Sequence, residues 1–354
     1  MYVSEIPAFR EYWYPVGYSA DTTTRPRKVR LLGDDYVIWR GTPDGPVGAA
    51  VDECPHRSAR LSQGWVADGD LVCPYHGWSF DVSGACTRIP QNDPDKPIPP
   101  RARALSVLVE EKYGLVWLCP GMPRAAIPDL PEATDPDFVI IHELMEVWTA
   151  SAPRITDNAL DVSHLAWVHR NSIGDESSPR LHNLTVEREG EGLRMSVSYR
   201  SRVTDQQKAN TGITDDYTIR TTHAQLLQPF VFRGLLEYEN GLKHVLYKTC
   251  TPIDDTHTLF CQFIARNDAP DETKRAGIIA VDRQVQNEDR ELLEGVRPEF
   301  PLELQTEMHT RSDRMTVEYR RILADLAAES TTVAPDRTWA RPFLSAVYQD
   351  TQNR

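Results

Sequence analysis

The sequence predicts an α+β protein: an all-β N-terminal domain, then a domain of antiparallel sheet and helices. Three observations predict it. The first third is a string of short β-branched and aromatic runs broken by turns. The last two thirds alternate longer strand-like runs with helical periodicity. Between them, residues 119–138 hold five prolines, which suits an extended linker rather than packed structure. The expected boundaries are 1–120, a Pro-rich linker at 121–139, and 140–354.

In the first domain, KVRLLG (28–33), a Gly33-Asp34-Asp35 turn and DYVIWR (35–40) predict a hairpin. Strand-like runs follow at 46–52, 71–73 and 78–81, and GLVWL (114–118) closes the unit. In the second, an apolar-periodic stretch predicts a helix from Asp157 to Val168. Strands are expected at 193–202, 228–239, 243–252 and 257–266, and helices at 272–295 and 314–328. Gly190 and Gly192 fall in a turn between strand-like runs and do not form a dinucleotide loop.

Composition narrows the class of protein. Against 39 basic residues stand 52 acidic ones, a formal charge of −13 over 354 residues. A surface this acidic repels phosphate backbones and anionic lipid, so neither nucleic acid nor a membrane is an expected partner. The opening MYVSEIPAFREYW lacks a basic segment followed by an apolar run, and no stretch is apolar enough to span a bilayer. A cytoplasmic protein is expected. Six cysteines are too sparse for a disulfide scaffold. Cys86, Cys119, Cys250 and Cys261 read as buried core thiols. His142, His182, His223, His244, His257 and His309 lack ligand spacing, and structural or surface roles are their default.

Cys54 and Cys73 differ because each sits beside a histidine. The text runs Cys54-x-His56, sixteen intervening residues, then Cys73-x-x-His76. Zinc fingers usually pair two Cys on one loop with two His on the other. Here each loop offers one of each, an arrangement suited to a two-iron cluster with thiolates on one iron and imidazoles on the other. Pro55 and Pro74 follow the cysteines, and Gly77 and Trp78 follow the last histidine, rigid or small residues that let loops close over sulfide. These residues closely resemble the Rieske [2Fe–2S] family. Tyr75 and Trp78 read as packing on the cluster loops, and Arg57 and Arg60 either dock an electron donor or are simply solvated.

A second set, Asn158-x-x-Asp161-x-x-His164-x-x-x-x-His169, lies downstream. Two histidines five apart stand about 140° around an ideal helix, so both bind one metal only if the helix distorts, with an irregular turn expected near Trp167. Following a Rieske motif, this set resembles the Rieske non-haem iron oxygenases over essentially the whole chain. Its texture is similar to single-subunit members such as dicamba and vanillate O-demethylases, caffeine N-demethylases and saxitoxin-type hydroxylases.

The resemblance implies that His164 and His169 bind a mononuclear Fe(II) and that Asp161 bridges toward a neighbouring cluster. In QVQNEDRELLEG the third ligand maps to Asp289, with Glu288 and Asp282 as local competitors. It further implies a terminal oxygenase: oxygen-dependent monooxygenation, as C–H hydroxylation or O- or N-demethylation, of a small cyclic or heterocyclic substrate. Electrons are to come from NAD(P)H through a separate reductase or ferredoxin, and the chains are to form a head-to-tail homotrimer. The alternatives are a cis-dihydroxylating dioxygenase and, from another class, a Rieske-type electron-transfer protein without oxygen chemistry.

Overall fold

The computed structural model describes residues 1–93 and 95–331; residues 332–354, the end of the second expected domain, lie outside the described residues. Two compact units are seen, one centred on Ile6–Ile127 and the other on Pro128–Leu326 together with Met1–Glu5. The first five residues thus belong with the second unit. Ser4 donates from its backbone N–H and its hydroxyl to Asp255 at 2.9 and 2.7 Å, and Phe300 N–H donates to the Met1 carbonyl.

The first unit contains ten short strands: β1 (Tyr14–Tyr18), β2 (Arg27–Leu31), β3 (Asp34–Arg40), β4 (Val47–Val51), β5 (Trp65–Ala67), β6 (Asp70–Val72), β7 (Ser79–Phe80), β8 (Cys86–Arg88), β9 (Leu108–Lys112) and β10 (Leu115–Cys119). They pair antiparallel in three small sheets, β1-β10-β9, β2-β3-β4 and β5-β6-β7-β8. Strand β3 is the heart of this unit, with Tyr36, Val37, Ile38 and Trp39 fully buried. Burying side chains of this size stabilises by about 1.5–3 kcal/mol each. The β2–β3 hairpin turns one residue earlier than the sequence suggests. Leu32 and Gly33 both take the left-handed conformation (φ 52° and 83°) that a two-residue turn matching strand twist requires. Cys86 departs from expectation: it is half-buried on β8, whereas Cys119 is enclosed on β10.

The second unit is a seven-stranded antiparallel sheet in the order β11-β17-β16-β15-β14-β13-β12. Its strands are β11 (Val139–Trp148), β12 (His182–Glu189), β13 (Gly192–Arg202), β14 (Tyr217–Gln228), β15 (Val231–Glu237), β16 (Lys243–Pro252) and β17 (Thr258–Arg266). Helices are α1 (Ala152–Ala159), α2 (Leu165–Val168), α3 (Asp205–Thr211), α4 (Glu272–Leu293) and α5 (Arg314–Thr331). The single helix expected over 157–168 is really two. α1 starts earlier, with Pro153 in its first turn, and ends before Leu160; α2 is one turn between His164 and His169. α5 grips α1 through Arg320, which donates to Asp157 at 2.7 and 3.1 Å and to Glu307 at 2.7 Å.

The Pro-rich stretch is packed where the sequence suggested a free linker. Leu130 and Glu132 are buried, and Glu132 accepts hydrogen bonds from Arg233 on β15 and from the Tyr247 hydroxyl on β16. Burial works to raise the Glu132 carboxyl, but the bonds from Arg233 and Tyr247 outweigh it and leave it below the ordinary glutamate value. Stability from this pair is therefore present above the unfolded pKa and is lost as pH falls through the lower, folded one. Glu132→Ala is expected to cost about 1–3 kcal/mol, because a half-buried guanidinium loses its carboxylate and keeps Gln225. Chemical denaturation followed by circular dichroism checks it, and adding Arg233→Met should recover a large part of the loss.

Candidate metal centres

The two cysteine loops of the first unit are near copies of one another. In each, the cysteine N–H donates to the carbonyl five residues on (Cys54 to Ala59, Cys73 to Trp78), at 2.8 Å in both. In each, the cysteine carbonyl accepts from the residue four on, Ser58 at 2.9 Å and Gly77 at 3.0 Å. That fourth residue is left-handed in both, with φ 53° at Ser58 and 71° at Gly77. A loop closed at both ends of its first residue holds its side chains still before any metal arrives.

The four side chains pair like with like. Cys54 and Cys73 are buried and interact with each other, and burial pushes the Cys54 thiol up to about 12. The imidazoles of His56 and His76 meet edge to face, 4.5 Å between centroids. Four ligands around one zinc would all lie within about 4.6 Å, twice the Zn–S distance. Among the described residues no three of these four do, the one such set being elsewhere. Two thiols beside two imidazoles, spread wider than one ion needs, fit a [2Fe–2S] cluster. Trp78 stacks on His56 at 4.6 Å. Tyr75, expected to pack, is 62 % exposed beside His76. Arg60 is engaged by Asp35 at 2.7 Å, while Arg57 is exposed.

In the second unit, His164, His169 and Asp289 converge, their ligand atoms all within 4.8 Å of one another. His164 caps the start of α2 and His169 its end, so the helix breaks on both sides of one turn rather than only near Trp167. Gly174 permits this: its N–H donates to the His169 carbonyl at 2.7 Å, and a Cβ there would stand 2.4 Å from the Leu165 carbonyl oxygen. Asp289 comes from α4. Its Oδ1 lies 3.3 Å from Nε2 of both histidines and accepts from Asn158 at 3.3 Å.

The other acids have separate tasks. Glu288 meets His169 Nδ1 at 2.9 Å and accepts from the Ser172 hydroxyl at 2.6 Å, which leaves His169 Nε2 toward Asp289. Asp161 Oδ2 is 3.7 Å from His164 Nδ1, while its Oδ1 accepts from Ser163 N–H at 2.7 Å. Burial opposes charge on Asp289, yet His164 and His169 hold its carboxyl far below the usual range. Burial likewise opposes charge on His164, but Asp161 and Asp289 outweigh it and raise the imidazole to about 9. Two imidazoles and a dry carboxylate without Lys or Arg contact among the described residues make a donor set that asks for a divalent cation. Fe(II) with two His and one carboxylate, open on one side, fits it.

One cavity of about 120 Å³ touches all three residues. Strands β13–β17 line it on one side, and α4 offers the stripe Ile278, Val281, Asp282, Val285, Gln286 and Asp289. These recur at three- and four-residue steps on one helix face. Asp282, a competitor for the third ligand, instead lies 3.4 Å from the buried His244. His244 is therefore no inert core residue. It lines the cavity, and so does Arg220, which sequence reasoning did not single out.

With this geometry two family models agree. Residues 12–108 match the Rieske [2Fe-2S] domain, and residues 148–329 the vanillate O-demethylase oxygenase C-terminal domain. The chain belongs to the Rieske non-haem iron oxygenases. It is an oxidoreductase of the oxygen-using, monooxygenase kind that carries a Rieske [2Fe–2S] cluster and a mononuclear iron. As a terminal component it takes electrons from a separate reductase or ferredoxin. Methylxanthine N3-demethylase NdmB of Pseudomonas putida is 31 % identical over 329 residues, 88 % of each chain. The oxygenase component of dicamba O-demethylase from Stenotrophomonas maltophilia is 32 % identical over 186 residues, 51 % of this chain and 54 % of that one. The structure of Pseudomonas putida CBB5 NdmA superposes with a TM-score of 0.76 at 26 % identity, covering 96 % of each chain. No helix among the described residues is long and apolar enough to cross a membrane.

The two permissive glycines make a paired prediction. Gly77→Val places a branched side chain at left-handed φ, a change costing about 1–2 kcal/mol or more, and should sharply lower cluster content, read as visible absorbance per chain. Gly174→Ala should lower mononuclear iron instead and leave that absorbance intact.

Proposed function

We propose that this chain demethylates a small cyclic compound, hydroxylating a methyl group carried on nitrogen or oxygen. Support comes from one observation above all: the His164, His169 and Asp289 set forms part of the wall of a partly open cavity between the sheet and α4. Relatives named for N- and O-demethylation lean the same way. One oxygen atom of O₂ enters the methyl C–H bond, and the other leaves as water with two electrons and two protons. The resulting hemiaminal or hemiacetal breaks to formaldehyde and the demethylated product.

In this reading His164, His169 and Asp289 hold the iron, and Cys54, His56, Cys73 and His76 hold the cluster, within domains of 1–120 and 140–354. The iron supplies oxygen activation and the cluster single electrons; the chain supplies the rest. Glu288 and Ser172 fix the His169 ring so that Nε2 is the free nitrogen. Asn158 steadies Asp289 from the side. Val162, Leu165 and Val285, each within four residues of Asp161, His164 or Asp289, keep that end of the cavity apolar and exclude water. Asp161, beside His164 Nδ1, orients that ring and is the bridge to a neighbouring cluster. The chains assemble head to tail in threes, His76 of one chain meeting Asp161 of the next.

Iron content tests the ligand set. The protein should bind about three irons per chain, two of them in the cluster. Asp289→Ala should keep the cluster and lose the third. Asp161→Ala should keep all three and lose turnover; if it loses iron or stays active, the bridging role is wrong. Formaldehyde release distinguishes demethylation from cis-dihydroxylation, whose product is a diol.

Mixing tests the ring. Two inactive variants, His76→Ala and His164→Ala, co-expressed at equal levels, give about three-quarters mixed trimers with one working interface in three. Activity should return to about a quarter of normal. Demonstrated mixing with no recovery removes electron transfer between chains.

A further inference from the structure

Arg220, in β14, is 4 % exposed and lines the same cavity as the metal set. Among the described residues no carboxylate oxygen lies within ion-pair reach of it, and its Nε has no hydrogen-bond partner. Its electrostatic surroundings are Tyr238, whose ring centroid lies 5.6 Å from its guanidinium carbon, Tyr199, which shares a side-chain hydrogen bond with it, and, as the sole carboxylate among them, Asp282. Of the other charges lining the cavity, Lys248 lies over the Phe232 ring, 6.0 Å from its centroid, and the rest are paired. Arg266 donates to both oxygens of Asp268, at 2.9 and 2.8 Å, and to the Asn210 carbonyl at 2.7 Å. Asp282 lies 3.4 Å from His244. Beside it, Glu143 accepts from Gln262 at 2.7 Å, and burial, with Asp282 adjacent, pushes its carboxyl well up. Burial opposes the charge on this guanidinium; its neighbours outweigh that, yet no carboxylate among the described residues engages its fork.

The position has meaning as well as the charge. Asp282 and Asp289 share one face of α4, seven residues apart, which is two turns or about 10 Å along the axis. Opposite, the sheet aligns Thr222 with Leu236, Leu236 with His244 and His244 with Arg266, and Arg220 lies two residues from Thr222 on the same face. The charged row thus stands about two helical turns from the carboxylate of the metal set, with apolar side chains between. A single substituted ring fills that span.

We propose that Arg220 is the substrate's anchor, binding a carboxylate on the end of the ring remote from the methyl group that is oxidised. This rests on the demethylase reading and narrows it, from any cyclic methylated compound to methylated aromatic or heterocyclic acids. An Arg–carboxylate fork fixes direction as well as affinity, since two parallel N–H···O bonds leave the ring little freedom to turn.

Calorimetric titration of the iron-loaded protein without oxygen tests it, using 3- and 4-methoxybenzoate, their primary amides, and caffeine as a neutral heterocycle. At least one acid should bind about tenfold or more tightly than its own amide, the worth of a charge-assisted pair. Arg220→Gln should bring that ratio below about threefold while leaving the amide's affinity, the iron content and the cluster absorbance unchanged. Equal or tighter binding of the amides or of caffeine, no measurable binding of either acid, or an intact preference in Arg220→Gln overturns the proposal. If Arg220→Gln loses its cluster absorbance, Arg220→Met is read in its place, and if neither folds, the wild-type ratio decides. Formaldehyde release with a reductase is scored separately. Acid preference without formaldehyde leaves the anchor standing and removes demethylation; formaldehyde from neutral compounds alone does the reverse.

Discussion

A buried carboxylate without a lysine or arginine beside it is the constraint around which the second unit is arranged. Asp289 is 2 % exposed, and what faces it is two imidazoles and an amide. Charge in such a place is unfavourable unless a cation completes it. The surrounding architecture keeps the carboxylate and both Nε2 atoms aimed at one point. α1 must stop at Ala159, α2 must last one turn, and Gly174 must let the backbone close under His169. Arg320 then ties α1 to α5 through Asp157, immediately before Asn158. Were α1 and α2 one continuous helix, His164 and His169 would point to different sides, and the carboxylate would lack its partners.

The first unit solves a related problem by different means. Its paired cysteines and histidines sit on loops, and loops hold side chains still only if the backbone hydrogen bonds close locally. Each cysteine loop closes twice on its own first residue, and each requires one left-handed position. Glycine fills that position at 77, where a Cβ would approach Pro90 at 3.3 Å. Serine fills it at 58, an uncommon choice that costs some stability. Local strain accepted beside a site is tolerable when the surrounding fold over-determines the geometry. Here Leu61, Leu71 and Phe80 are buried to the last few square ångströms around Cys54 and Cys73.

Much of this was legible in the residues. The Cys-x-His and Cys-x-x-His spacings lie within short loops, and helical periodicity placed α4 and α5 within a few residues of their ends. Seven strands (β1, β5, β8, β9, β11, β12 and β14) escaped, and in β14 the reason is plain. Its inward face begins with Arg220 and Thr222, so apolar alternation does not mark it, although Arg220 is as buried as its neighbours Ala224 and Leu226. The same blindness hid the anchor residue, because a buried arginine and a solvated one look alike in a sequence. Glu288 and Asp282 could not be told from Asp289 by position alone, being one and seven residues away on one helix. Only the fold assigns Glu288 to the back of His169 and Asp282 to His244. Packing of the Pro-rich stretch was likewise invisible, since Glu132 finds its partners 101 and 115 residues further on.

One helix therefore carries both ends of the cavity. α4 presents Asp289 to the metal set and Asp282 to the charged row, with Val285 and Val281 between. Rigid-body movement of α4 would disturb metal binding and substrate reading together, so a change in specificity cannot readily come from shifting it. The sheet has no such double duty. Arg220, Phe232 and Leu236 touch the cavity but not the metal set, and each can be exchanged while His164, His169 and Asp289 stay where they are. Cavity residues on β14 and β15 thus lie outside the metal set, whereas the α4 stripe ends in Asp289. The two tasks are thereby divided within one cavity: α4 carries the carboxylate of the metal set, and the sheet carries much of the wall that a ring would meet.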